Sequence, residues 1–208
     1  MAAVASPYGL KPVNRIGGLP YAGSTRSLAF DPAGYAANVF NGSLVYIKST
    51  GYLELVSATG ADATTNSWPI GSTDNTGTIG VCMGFSYTNS MNQTVFGQYY
   101  PSGALNGVAY VVDDPDAVFQ VQSAGTVTIA ALGANTFFST GAVLTGNTAT
   151  GNSTASVVAG SAAIQTTAPF RIIGFPDMKG FSVVGDAFTD ILVKINIGWH
   201  SYNTVKGV

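Results

Sequence analysis

Charge is what this chain has least of. Only 9% of its 208 residues are Asp, Glu, Lys or Arg, about a third of the share usual in a soluble domain. The formal net charge is −2, from 8 basic and 10 acidic residues. That leaves no electrostatic footprint for nucleic acid or for an anionic membrane, and neither is expected as a direct partner. Cysteine is nearly missing as well: Cys82 stands alone, so no intrachain disulfide framework exists. Its place in the apolar run Ile79, Gly80, Val81, Cys82, Met83 marks it as a small buried hydrophobe. The one histidine, His200, cannot build a multi-histidine metal site, and its position after Trp199 suits a surface or capping role. Long apolar runs are absent too. The longest, residues 155–164, is broken by Gly160 and Ser161 and is too short to cross a bilayer. Residues 1–6 lack the basic and apolar parts of a secretory signal.

What is present is apolar and neutral-polar. Hydrophobic residues make up 46% of the chain. A surface so poor in charge either meets another protein over large parts or carries Ser, Thr and Asn as neutral solvating groups. Short β-branched and aromatic runs recur between turn signals. The clearest are Val108 to Val112 and Val118 to Gln122, separated by Asp113, Asp114, Pro115 and Asp116. They read as two strands joined in a hairpin by a structural turn. There Pro115 fixes φ, and the aspartates accept hydrogen bonds from turn amides. Leu44 to Lys48 and Tyr52 to Val56 form another expected hairpin, around Ser49, Thr50 and Gly51. Ile79 to Tyr87, Gln93 to Tyr100, Pro169 to Phe175 and Asp190 to Ile197 are further strand candidates, and Gly80 and Gly84 point to a bulge or a close backbone approach. Residues 126–138 fit a strand or one short helix.

Many short strands at this spacing indicate an all-β fold, a β-sandwich or barrel-like domain with at most one or two short helices. We divide the chain into an extended N-terminal arm at 1–24 and a single β-rich domain at 25–208, with long loops near 57–78 and 139–156. The arm is rich in Pro and Gly between isolated apolar residues, among them Tyr8 and Leu10. It reads either as a flexible tail or as a docking segment, removable without loss of the fold.

Sites of chemistry are hard to find. The stretch from Gly151 to Ala155 only approaches a nucleophile elbow and lies among turn residues. There is no P-loop, no dinucleotide fingerprint and no zinc-protease helix motif. Pro115 interrupts the carboxylates at 113–116, and no glutamate closes a calcium loop, so turn chemistry accounts for them. No catalytic residue, metal or cofactor is expected. Asp113 or Asp186 would carry a glycosidase-like pair if one existed, and Tyr87, Tyr99, Tyr100 and Trp68 would form the stacking platform of a receptor- or glycan-binding module of a viral tail or fibre.

In order along the chain, SPYGLKPVNRIGG, YVVDDPDAVFQVQ, LGANT, a Thr/Gly-rich loop, PFRIIGF and DILVKIN resemble the decoration, or cement, proteins of tailed-bacteriophage capsids. The resemblance covers most of the chain but not residues 57–78 or 87–100. It implies a non-enzymatic virion protein on the outer surface of the capsid, bound to the major capsid protein and stabilising its lattice, commonly as a homotrimer. Pro7, Tyr8, Gly9, Leu10 and Pro12 would then be the capsid-docking arm.

Overall fold

The computed structural model describes residues 4–56, 78–139, 145–159, 168–176, 182–196 and 200–203. The expected loop at 57–78, with Trp68, lies outside them except for Thr78, as do residues 140–144 of the second expected loop.

The fold is all-β and sandwich-like, and among the described residues the named strands pair with one another antiparallel. Strands are numbered along the chain. The first sheet runs in the order β1 (Lys11–Arg15), β10 (Ala117–Gln122), β15 (Asp190–Ile195), β14 (Phe170–Gly174), β11 (Asn135–Thr136). The second runs β2 (Arg26–Ala29), β9 (Leu105–Val112), β6 (Gly80–Thr88), β4 (Leu44–Ile47), β5 (Leu53–Leu55), and β7 (Thr94–Gly97) adds to the end of β6. Two ribbons complete it: β3 (Val39–Phe40) with β8 (Tyr99–Tyr100), and β12 (Gly146–Asn147) with β13 (Asn152–Ser153). The helices among the described residues are two 3-10 turns, Ile129–Ala131 and Ser201–Asn203. Residues 126–138 thus resolve into a short helix followed by a short strand, and most of the described part of 145–156 is ribbon.

One core cluster lies between the sheets. Phe119, Val121, Phe170, Ile172, Ile191 and Val193 of the first sheet meet Leu44, Tyr46, Val81 and Val112 of the second. The second sheet is buried on its other face as well, where Val45, Cys82, Phe85, Ala109 and Val111 pack under Phe30, Val39 and Tyr100. Successive side chains leave a strand on opposite faces, so a strand covered on both sides reads as an unbroken apolar run. That is why Leu44, Val45 and Tyr46, or Val111 and Val112, are apolar without alternation. The β4–β5 hairpin forms as expected, with Gly51 at φ 84° closing its loop, a left-handed conformation that glycine adopts freely. Gly80 is needed for close approach instead: a Cβ there would sit 2.0 Å from the carbonyl oxygen of Val112.

The expected hairpin across 113–116 does not exist as a pair. Both strands are present, but β9 lies between β2 and β6 in the second sheet, whereas β10 lies between β1 and β15 in the first. The acidic turn is a corner carrying the chain from one sheet to the other. Both strands are interior, each filling its two edges with other partners, so neither has an edge left to offer its sequence neighbour.

Candidate functional site

The acidic turn is a junction of ion pairs. Within it, the Asp114 carboxylate accepts the Asp116 amide at 2.9 Å and the Asp114 carbonyl accepts the Ala117 amide at 3.1 Å, the hydrogen-bonded turn expected of Asp113, Asp114, Pro115 and Asp116. Outward, each carboxylate takes a cation from a different strand. Arg15 of β1 reaches Asp114 at 2.6 Å, Arg26 of β2 reaches Asp113 at 2.9 Å, and Lys194 of β15 reaches Asp116 at 2.8 Å. The Tyr202 hydroxyl also donates to Asp113, at 2.6 Å. Three carboxylates already matched by three cations do not form a vacant cation site. The hydrogen bond from Lys194 holds the Asp116 carboxyl below its usual value. Burial, followed by the Asp113 hydrogen bond, pushes the Tyr202 phenol up to about 12. Asp186 is elsewhere occupied, accepting the Val183 amide at 3.1 Å.

The N-terminal segment is extended, as expected, but it lies along its own domain. Leu10 is 0% exposed within the inter-sheet core. The Tyr8 hydroxyl donates to the buried Asp190 at 2.7 Å, and burial raises its pKa. Gly9 packs against Gly42 and Ser153, and Pro7 and Pro12 are half-buried. The Gln122 side chain grips the segment by accepting the Ser6 amide at 2.8 Å and donating to the Val4 carbonyl at 3.1 Å. Tyr8 and Leu10 are therefore spent inside this chain, whereas Val13, Ile16 and Leu19 of the same segment remain exposed.

The tyrosines suited to stacking a sugar are likewise committed. Tyr100 is 0% exposed, stacked on Phe30 at 4.9 Å and met edge-on by Tyr87 at 5.9 Å. Tyr99 stacks on Phe40 at 5.8 Å. Cys82 is buried as expected, and burial raises its thiol pKa. His200 differs from a surface residue, being only 1% exposed. Its capping role is real: Nδ1 accepts the Tyr202 amide at 3.3 Å at the start of the last 3-10 turn.

One open apolar surface lies at the far end of the second sheet; Ile16 and Leu19 of the arm, Ile129 and Leu132, and Val183 and Val184 are exposed elsewhere. Cross-strand partners share a face, so the registers define rows running from covered to open. Leu44, Val81 and Val112 form a row under the first sheet. Beyond them come Gly84, Tyr110 and Ser27; then Phe96, Ser86, Val108 and Ala29; then Thr94, Thr88 and Leu105. Exposure rises along these rows, reaching 74% for Phe96 and 42% for Leu105. The turn leading into β7 adds Met91, 76% exposed. No Asp, Glu, Lys or Arg occurs anywhere in residues 75–112.

Sequence reasoning saw Phe96 only as one apolar residue of a strand. The signal that could have singled it out is that charge-free interval, inside which β7 alternates between half-buried Val95 and exposed Thr94 and Phe96. Comparison with known proteins returned no match, whether to a family model, a curated protein or a solved structure.

Proposed function

We propose that this chain is a non-enzymatic decoration protein of a phage capsid. It binds the outer surface of the shell through the open end of its second sheet and stabilises contacts between major capsid proteins. The observation that carries the reading is the uncharged sheet face with Phe96 and Leu105 outward. Large apolar side chains grouped on a face without charge favour a protein partner, because docking strips water from them without desolvating ions. Burying one such side chain is worth about 1.5–3 kcal/mol, too little for durable attachment by itself. A trimer engaging several lattice subunits at once multiplies such weak contacts through effective concentration. The resemblance in the quoted motifs supports the same reading. Attachment relies on apolar surface, so it should survive high salt.

Co-sedimentation with capsids stripped of this protein tests the reading. Wild type should pellet with the particles at both low and high salt, and Phe96→Ser with Leu105→Ser should remain in the supernatant while keeping the wild-type thermal transition. A wild-type chain that never pellets with shells overturns the reading.

A further inference from the structure

Independently of that reading, the C-terminal turn carries a device of its own. His200 sits beside Thr78 through a parallel bridge, and the Ser201 amide donates to the Thr78 carbonyl at 2.9 Å. The imidazole and the Thr78 side chain are both buried; Thr78 Oγ1 has no hydrogen-bond partner among the described residues, and His200 Nε2 falls short of full hydrogen-bond geometry, with the Asp113 backbone the nearby group that favours a proton on the ring. Since Nδ1 accepts the Tyr202 amide, the ring is neutral, its proton is assigned to Nε2, and Nδ1 is the atom free to take another. Tyr202 completes the turn by lying 5.1 Å from the imidazole, beneath the Arg26 guanidinium at 5.4 Å, with its hydroxyl on Asp113.

We propose that this turn is an acid-released latch. A proton added at His200 Nδ1 removes the acceptor of the Tyr202 amide and leaves a buried charge, so residues 200–203 come away from Thr78 and Asp113 while the sandwich stays folded.

The charged and titratable groups around His200 are Asp113, Asp114 and Asp116 from the corner between β9 and β10, Lys194 from β15, and Tyr202 from the latch. Arg26 and Arg15 stand behind the first two carboxylates. Asp113 and Asp114, although paired to cations, and the Asp113 backbone still favour an imidazolium, while Lys194 opposes it. Burial outweighs the aspartates and lowers the His200 pKa from its ordinary 6.5. A folded-state value below the unfolded one means the latch is fully held above the ordinary value and is lost as pH falls toward the folded one.

The test follows the ring proton of this single histidine by NMR, together with amide exchange across the whole chain. The ring should titrate below 6.5. Protection of the Tyr202 and Asn203 amides, corrected for intrinsic exchange, should fall about tenfold per pH unit over that window, with β9 and β10 unchanged. His200→Asn retains a capping acceptor without a titrating ring and should hold its protection from about pH 7 to about pH 5. Should that variant not fold, Tyr202→Phe serves instead: lacking the bond to Asp113, it should open at higher pH than wild type. Titration at or above the ordinary value overturns the latch, as does loss of protection in His200→Asn matching the wild type, or a simultaneous loss throughout both sheets.

Discussion

Three of the four ion pairs among the described residues meet at the corner 113–116, whereas the opposite end of the second sheet offers Phe96 and Leu105 in an interval without a single charge. The corner ties together β1, β2, β15 and the C-terminal turn, all elements distant in sequence. Its carboxylates therefore serve cohesion between the two sheets. The other end has no such partners, and its apolar residues face outward. Six of the charged side chains meet in ion pairs where the sheets join, and the open end of the second sheet carries none. The difference teaches that the groups holding the sheets together lie at one end of the sandwich and the exposed apolar residues of the second sheet at the other, so if the open end binds the shell as proposed, substitutions should separate stability from binding.

The largest effect belongs to the corner end. Removing residues 2–20 deletes β1, Arg15 and the buried Leu10, and the cooperative thermal transition should be lost, in contrast to a removable tail. Leu10→Ala alone should cost about 2–5 kcal/mol in denaturant unfolding. A truncated chain that melts like wild type would show that the segment is no part of the cohesive end.

Next is the start of β6, beside the last residue of β9. Gly80→Ala forces a methyl against the Val112 carbonyl, and a backbone neighbour cannot rotate away. Equilibrium unfolding should register a loss of about 1–3 kcal/mol.

The individual ion pairs come third. Arg26→Ala should cost about 0–1 kcal/mol because the pair is partly exposed, and added salt should shrink that difference. The Asp116 carboxyl, held down chiefly by Lys194, adds stability that is present above the ordinary carboxylate value and lost as pH falls through its lowered one. Lys194→Met should flatten the acid limb of a melting-temperature profile, and an unchanged limb would remove this pair from the account.

The smallest change in stability should come from the open face. Phe96→Ser should alter unfolding by no more than about 0.5 kcal/mol while reducing retention on particles. If it unfolds the domain instead, Phe96 belongs to cohesion and the contrast between the two ends collapses.

Much of the fold could be read from residue order. Strands 44–47, 53–55, 80–88 and 190–195 follow from β-branched and aromatic runs between turn residues, and Gly80 and Gly84 signalled a bulge or a close backbone approach, which the structure divides between them. The partner of each strand could not be read. A period of two says which side of a strand is buried, and it says nothing about which strand lies alongside. Hence β9 and β10, adjacent in sequence and joined by a turn suited to a hairpin, were expected to pair and do not. His200 shows the same limit: a polar residue near a strand end suits the surface until Thr78, from far upstream, covers it. Tyr100 was equally suited to a binding platform or a core, and the position of Phe30 above it, with Tyr87 against its edge, decided between the two.

By itself, the sequence determined an all-β chain with short strands, an acidic turn at 113–116, a buried thiol and a surface with little charge, because each rests on local conformational preference or on composition. Tertiary structure alone decided that the acidic turn joins two sheets, that Leu10 belongs to the core, that His200 is enclosed and that Phe96 stands open. Those outcomes depend on which distant strands come to lie beside one another, and that choice is made by the summed burial of both sheets rather than by any one segment.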